Sequence, residues 1–141
     1  MFLGEFEYKI DEKGRVPLPP RFRRELVDGV VLAPGLDKCI AGYGLEGWAQ
    51  QAQEITSAPV APSKLRRLRR AMFASANNLT LDGQGRVALP PALRQFAQIG
   101  DELVVVGLYT YFELWNKEMW ETEKALGQEQ AWQIMEGQEQ R

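Results

Sequence analysis

The chain has 141 residues, which is enough for one ordinary domain or for two half-size units that share a core. Hydrophobic residues make up 45% and charged residues 26%, a composition typical of soluble globular proteins rather than disordered ones. No apolar run approaches the roughly 18 residues of a membrane span, and no secretory leader is visible, so we expect a cytoplasmic protein. With one cysteine, Cys39, and no histidine, the sequence excludes an internal disulfide, cysteine-based zinc sites and histidine triads. We expect no metal or cofactor.

The net charge of −2 conceals an uneven distribution. Residues 1–94 contain 14 Lys/Arg and 10 Asp/Glu, whereas residues 95–141 contain 3 and 9. Residues 61–94 alone contain seven basic side chains and one acidic one. A polyanion responds to such local patches rather than to the mean charge, so DNA remains a candidate partner.

An internal repeat organises the chain. Residues 8–20 align with residues 79–91 at an offset of 71, and the match extends to Phe22-Arg23 against Leu93-Arg94. After a one-residue slip, Gly35-Leu36 matches Gly107-Leu108, and Trp48 matches Trp120. We therefore predict a first repeat over 1–57, a connector over 58–75, a second repeat over 76–126 and a polar tail over 127–141. The tail is expected to be either a frayed helix or disordered.

The sequence predicts the same elements in the same order in both repeats. A strand of alternating polarity (6–10 and 79–81) leads through an Asp-x-x-Gly turn into a short strand (15–18 and 86–89). A Pro-Pro pair ends that strand and opens a short helix. A β-hairpin follows (30–33 with 39–43, and 103–107 with 111–115), and a helix closes each repeat (45–55 and 117–126). The second of these helices is expected to stop at Gly127.

The connector predicts a helix from Ser63, as its cap, to Ala74. The helix has a basic face that is either only solvated or a contact for DNA or a subunit; its arginines are Arg66, Arg67, Arg69 and Arg70. We expect Cys39 and three tryptophans, Trp48, Trp115 and Trp120, to pack in the core. Pro17 stands where a strand would need a backbone donor, so that strand should be an edge or be bulged.

The motif Asp-x-x-Gly-Arg occurs twice in matched context. Asp11 and Asp82 can accept backbone hydrogen bonds that fix the turn, and the glycine permits its tight backbone. Arg15 and Arg86 then begin the returning strand of a hairpin. A guanidinium fixed in this way suits bidentate recognition of a guanine or a phosphate, and a two-stranded ribbon fits the major groove. The alternatives are an Asp–Arg pair that merely braces a turn, and a catalytic carboxylate pair, which the adjacent arginines disfavour by keeping both groups ionised.

Specific segments occur in a fixed order along the chain. In the first half they are Met1-Phe2-Leu3-Gly4-Glu5-Phe6, Ile10-Asp11-x-Lys13-Gly14-Arg15, Gly35-Leu36-Asp37-x-Cys39 and Trp48. In the second half they are Leu81-Asp82-x-Gln84-Gly85-Arg86, Pro90, Leu93-Arg94 and residues 99–120. This ordered set resembles the MraZ family of bacterial transcriptional regulators. The resemblance implies a mainly β fold with peripheral α-helices, built from tandem AbrB-like swapped-hairpin (β-barrel) repeats. It also implies ring-shaped homo-oligomers.

The resemblance further implies a repressor of its own division and cell-wall gene cluster, associated with the nucleoid. Such a protein would bind double-stranded DNA at spaced, G-rich direct repeats upstream of its own operon. The family signature D-x-x-x-R falls on Asp11/Arg15 and Asp82/Arg86. Lys13, Arg21 and Arg23 would then contact phosphates, although the second repeat has Gln84 in place of Lys13. The alternatives are an antitoxin-like or scaffold module with a protein partner, and an Asp-based enzyme on a related barrel.

Overall fold

The computed structural model describes residues 1–137, which form eight strands and five α-helices. The strands are β1 (Glu5–Lys9), β2 (Arg15–Pro17), β3 (Val30–Pro34), β4 (Ile40–Gly44), β5 (Asn77–Leu79), β6 (Arg86–Ala88), β7 (Glu102–Gly107) and β8 (Phe112–Asn116). The helices are α1 (Pro20–Arg23), α2 (Leu45–Thr56), α3 (Pro62–Phe73), α4 (Pro91–Phe96) and α5 (Lys117–Met135). The predicted mainly β fold with peripheral helices is confirmed.

The larger sheet is built by exchange of strands between the repeats. Its six strands lie in the order β1-β7-β8-β4-β3-β5. Strand β1 of the first repeat pairs antiparallel with β7 of the second, and β5 of the second repeat pairs with β3 of the first. The two hairpins meet in the centre of the sheet through β4 and β8. Each repeat therefore completes the sheet of the other, as the swapped-hairpin expectation requires.

The smaller sheet contains one equivalent strand from each repeat, so it lies at the centre of the pseudo-twofold symmetry that relates them. It contains only β2 and β6, which pair antiparallel with Val16 opposite Val87. Both valines are fully buried, and the ladder continues through the backbone N–H of Leu18, which donates to the carbonyl oxygen of Gly85 at 3.1 Å. Pro17 lies in a strand that has a single neighbour, so its missing N–H is tolerated at an edge, as predicted.

One hydrophobic core draws on both repeats. Phe22 of α1 contacts Phe2 at a ring-centroid distance of 4.9 Å and Phe112 of β8 at 5.6 Å. Burying such a side chain contributes about 1.5–3 kcal/mol, and these rings come from distant parts of the chain. The described part of each repeat thus depends on the other for its core.

The four residues predicted to be buried differ in depth. Cys39 and Trp115 are buried together in a second small cluster, and Trp120 packs against it half-buried. Trp48 is also half-buried, with Tyr43 at 5.3 Å between ring centroids. Burial raises the pKa of the Cys39 thiol well above its ordinary range.

The prediction that the last helix stops at Gly127 is wrong. Helix α5 continues through Gly127 to Met135, and the tail is helical up to that residue. A glycine inside a helix costs only about 1 kcal/mol, and here it is flanked by good helix formers such as Ala125 and Gln128. The glycine that does end the helix is Gly137, which has a φ of 82° and donates its N–H to the carbonyl oxygen of Ile134 at 3.0 Å. The part of the predicted tail at residues 138–141 lies outside the described residues.

Two smaller boundary predictions also fail. Helix α3 begins at Pro62, and its N-cap is Ala61 without a side-chain hydrogen bond, so Ser63 is not the cap. Proline is favoured at the first helical position because its missing N–H would be unpaired there in any case. Strand β5 ends at Leu79, two residues before the predicted end, since only residues up to Leu79 pair with β3.

Candidate nucleic-acid interface

The first-repeat turn, residues 11–15, is fixed by the carboxylate of Asp11. Its Oδ1 accepts the backbone N–H groups of Lys13 and Arg15, each at 2.9 Å. The backbone N–H of Gly14 donates to the carbonyl oxygen of Asp11 at 3.0 Å, and Gly14 has a φ of 77°, which favours glycine. The other carboxylate oxygen, Oδ2, accepts the Nε–H of Arg15 at 2.8 Å. The turn therefore fixes the direction in which Arg15 leaves the backbone.

The second-repeat turn, residues 82–86, repeats this geometry. Oδ1 of Asp82 accepts the backbone N–H groups of Gln84 and Arg86 at 2.9 Å, and Oδ2 accepts the Nε–H of Arg86 at 2.8 Å. Gly85 has a φ of 75°. Two turns of the same shape thus present two arginines that are each fixed through Nε.

The hydrogen bonds also determine the charge of the two aspartates. The pKa of Asp11 lies below its ordinary value, chiefly because its carboxylate accepts the backbone N–H of Arg15. The pKa of Asp82 is lowered for the same reason by the backbone N–H of Arg86. Both carboxylates are therefore ionised at neutral pH with their oxygens occupied by donors. Such groups are suited to positioning an arginine rather than to accepting a proton in catalysis.

The two turns, which the pseudo-twofold symmetry of the repeats relates to each other, lie close together. Nη1 of Arg86 approaches Oδ2 of Asp11 at 3.5 Å, so an ion pair joins the second-repeat turn to the first. Arg15 has no such second contact: within residues 1–137 its terminal nitrogens take part in no ion pair or hydrogen bond. The antiparallel β2–β6 pairing causes this proximity, since Arg15 and Arg86 begin the two strands.

The predicted phosphate contacts differ in their surroundings. Lys13 and Arg21 are exposed, whereas Arg23 is half-buried and donates its Nε–H to the carbonyl oxygen of Leu18 at 3.0 Å. A Cβ atom added at Gly85 would overlap the guanidinium of Arg23, so this side chain lies against the second-repeat turn. The structure thus brings Arg23 to the turn of the opposite repeat and leaves Arg21 on the surface.

Sequence reasoning did not select Arg94 as a site residue, although the repeat alignment pairs it with Arg23. Arg94 donates its Nε–H to the carbonyl oxygen of Ile99 at 3.1 Å and its Nη2–H to that of Gly100 at 2.8 Å. Its Nη1 is 3.9 Å from the position that a Cβ atom would take at Gly14. Arg94 therefore lies beside the first-repeat turn, as Arg23 lies beside the second. The symmetry of the repeat was the signal that could have identified it.

The flanking strands of each turn do not form the expected two-stranded ribbon. Beyond the turn, β1 joins the six-stranded sheet and β2 the two-stranded sheet, so no β1–β2 ladder exists. The exchange of strands gives β1 a five-residue ladder with β7. This pairing satisfies the backbone of β1. The turn is held by the Asp carboxylate together with backbone hydrogen bonds, such as that from the N–H of Asp11 to the carbonyl oxygen of Arg15 at 3.0 Å.

Within the described residues, no cluster of three or more His, Cys, Asp or Glu side chains is placed to hold a metal ion. Among the helices of residues 1–137, none has both the length and the apolar composition needed to cross a membrane.

The fold and the paired turns define a tandem AbrB-like protein with one Asp–Arg turn in each repeat. The family described as "MraZ protein, putative antitoxin-like" matches residues 1–71 and again 72–137. The chain therefore belongs to the MraZ family.

Curated relatives agree with this assignment. A protein named transcriptional regulator MraZ from Dehalococcoides mccartyi (strain ATCC BAA-2100 / JCM 16839 / KCTC 5957 / BAV1) is 55% identical over 137 residues, or 96% of each chain. A protein of the same name from Roseiflexus sp. (strain RS-1) is 43% identical over 86% of this chain and 85% of its own. Another, from Thermomicrobium roseum, is 39% identical over 89% of both chains.

Proposed function

We propose that this chain is a DNA-binding transcriptional regulator that represses its own division and cell-wall gene cluster. The observation that supports it most strongly is the pair of matched turns, in which an ionised aspartate fixes Arg15 and Arg86 through Nε at 2.8 Å. Relatives named transcriptional regulators support the same function. Such a protein would act in the cytoplasm, at the nucleoid.

Arg15 and Arg86 are the residues proposed to contact bases. An Nε–H bound to the aspartate leaves the Nη groups of Arg15 free to donate to O6 and N7 of a guanine, which is the commonest specific contact in the major groove. In Arg86, Nη1 also pairs with Asp11 at 3.5 Å, so this residue would exchange that ion pair for the base. Asp11 and Asp82 would act as positioning residues, because they touch the arginine and not the base. A fixed guanidinium loses less side-chain entropy on binding than a free one does.

Phosphate contacts would orient the protein on the duplex. Lys13 and Arg21 are exposed and able to donate to phosphate oxygens, and Arg23 lies beside the second-repeat turn. Arg94 has the equivalent place beside the first-repeat turn, so we add it to this group.

A single turn offers few cations, so one contact with one DNA box would be weak. We propose that the chain forms a ring-shaped homo-oligomer, which would present several copies of the two turns to spaced, G-rich direct repeats. Linked sites gain affinity through effective concentration, by about 10²–10⁴-fold. The affinity should then depend on the number of boxes and on their spacing, near one helical turn or about 10 base pairs.

The first test is an electrophoretic shift assay with the DNA upstream of the protein's own gene. A scrambled duplex of the same length and composition is the control. We expect a shift of the upstream DNA at protein concentrations that leave the scrambled duplex free. Equal affinity for the two duplexes would contradict sequence-specific regulation.

The second test is a titration against one, two and three boxes, and against two boxes moved apart by an extra half turn. We expect affinity to rise with box number and to fall for the shifted pair, since the second box then faces away from the protein. Light scattering on the same samples should give a particle several times 16.0 kDa. Equal affinity for all four DNAs, or a monomer at micromolar concentration, would contradict the multivalent mechanism.

A protein-interaction role, antitoxin-like or scaffold, is the second candidate. The observation that favours it is the exposed apolar surface near the end of α5, where Trp132 is 74% and Met135 79% exposed. A pull-down dominated by one protein, with no DNA retained at modest salt, would favour this candidate over DNA binding.

A further inference from the structure

Helix α3 presents a strip of positive charge that the interface above does not use. Its sequence from Pro62 to Phe73 contains no acidic residue, and its basic residues are Lys64, Arg66, Arg67, Arg69 and Arg70. All five are exposed, and none takes part in an ion pair within residues 1–137. A surface that serves only solubility usually mixes charges of both signs, whereas this one has a single sign.

The opposite face of α3 anchors the helix to the fold. Leu65 and Leu68 are half-buried, and Phe73 contacts Trp48 of α2 edge-on at a ring-centroid distance of 6.0 Å. The helix also packs against β3 of the six-stranded sheet. Its arginines are therefore displayed on a fixed helix and not on a loose connector.

Helix α3 lies shortly before the second-repeat turn along the chain. Only residues 74–76 separate the helix from β5, and β5 leads towards Asp82. The nine residue steps from Phe73 to Asp82 span at most about 32 Å. At about 3.4 Å per base pair, this is less than ten base pairs, or about one helical turn of duplex. The end of α3 therefore lies within about one helical turn of the second-repeat turn, a distance that one duplex can span.

We propose that α3 is a second DNA-contacting element, which binds the phosphate backbone without reading sequence. This inference rests on the proposed function and deepens it. Arginine donates to phosphate in a bidentate manner, and each neutralised phosphate releases counterions from the duplex. In this scheme the turns determine which DNA is bound, and α3 adds affinity for any DNA.

The test compares two triple variants with the wild type. In one, Arg66→Gln, Arg67→Gln and Arg70→Gln remove three charges while keeping a good helix former at each position. In the other, Gln128→Glu, Gln130→Glu and Gln133→Glu change the net charge by the same amount on exposed positions of α5. Binding to the upstream DNA and to a scrambled duplex is measured between roughly 50 and 200 mM salt.

We expect the α3 variant to lose about 2.7 units from the slope of log affinity against log salt, at about 0.9 per phosphate contact. The loss should be equal on both DNAs, so that their affinity ratio is unchanged. The α5 variant should keep the wild-type slope. Light scattering should give both variants the wild-type particle mass, and circular dichroism the wild-type helix content.

Three outcomes would overturn the inference. The α3 variant could keep the wild-type slope, or the two triple variants could lose slope equally, which would show a mere net-charge effect. The α3 variant could also dissociate to a smaller particle and keep the wild-type salt slope for binding to a single DNA box. That result would assign the helix to contacts between copies of the chain. Failure of the proposed function is a separate result: the wild type itself would show no preference for the upstream DNA.

Discussion

The first-repeat turn and the second-repeat turn bind their own arginines alike, with Nε–Oδ2 distances of 2.8 Å in both, but their surroundings differ. The Nη groups of Arg15 make no hydrogen bond or ion pair within residues 1–137, whereas Nη1 of Arg86 reaches Asp11 at 3.5 Å. Lys13 gives the first turn an exposed cation where the second has Gln84. The fold therefore preserves the geometry that aims each arginine, while the local electrostatics of the two copies have diverged.

The largest effect should come from removing the arginines one at a time. We expect Arg15→Ala and Arg86→Ala each to weaken binding to the upstream DNA by about 1–3 kcal/mol, the cost of a lost bidentate base contact. The loss should be larger for Arg15, because Arg86 has to give up part of its contact with Asp11 to bind a base. Fluorescence anisotropy titrations measure both, with the exposed Arg24→Ala as the matched control. Wild-type affinity in both variants would show that the turns do not contact bases.

The glycines of the two turns should differ in their contribution to stability. Gly14→Ala forces a side chain into a left-handed backbone conformation, which costs about 1–2 kcal/mol. Gly85→Ala has the same backbone cost and in addition displaces Arg23 from its hydrogen bond to Leu18, which adds about 1 kcal/mol. Urea unfolding gives the free energy of unfolding of both variants. Equal losses would contradict the position assigned to Arg23.

Residue 13 of the first turn and residue 84 of the second are equivalent but differ in charge, so substituting either one should reduce the difference in charge between the turns. Gln84→Lys adds a cation to the second turn, so we expect the salt slope of DNA binding to rise by about 0.9 for each turn that meets a phosphate. Lys13→Gln should lower it by the same amount. The slope is measured by repeating one titration at several salt concentrations. If neither substitution changes it, this position faces away from the DNA.

The smallest effect concerns acid stability, because the aspartates are screened by solvent. A lowered folded-state pKa means that Asp11 and Asp82 stabilise the protein above the ordinary aspartate pKa of about 3.9. This stabilisation is lost as pH falls through the lowered values. Asp11→Asn and Asp82→Asn should therefore flatten the fall in stability below about pH 4, and more so for Asp11, which also pairs with Arg86. Urea unfolding at several pH values measures this, and an unchanged pH dependence in both variants would contradict it.

Much of the fold could be predicted from the sequence because the repeat and the turn signals are local. The Asp-x-x-Gly pattern, the Pro-Pro pair and the alternating apolar residues each specify a backbone conformation within a few residues. From residues alone, the exchange of β1 and β5 between repeats was not predictable, since it depends on pairing between residues about 100 apart for β1 with β7 and nearly 50 apart for β5 with β3. Only the resemblance to a known family gave that expectation.

The ends of helices were less predictable for a physical reason. Gly127 and Gly137 give the same local stop signal, and the choice between them depends on the nine residues that lie between them, which all favour helix or tolerate it. The proposed repeat boundaries at residues 57 and 75 likewise remain a prediction.

At the candidate site, the residues that brace their own turn were predictable, and the contacts between repeats were not. Asp11 and Arg15 are four residues apart in the sequence, so the spacing of the motif was enough to predict their contact. The ion pair of Arg86 with Asp11, and the place of Arg94 beside Gly14, both arise from the β2–β6 pairing. A single sequence gives no spacing rule for such contacts.

The most direct measurement is the ratio of affinities for the upstream DNA and a scrambled duplex, in the wild type and in the double variant Arg15→Ala/Arg86→Ala. Specific regulators typically show a ratio of about 10³–10⁷. We expect the double variant to keep its fold and its salt-dependent binding to scrambled DNA while its ratio falls to near one. A double variant that folds normally and keeps the wild-type ratio would contradict the central claim that the two turns read the DNA.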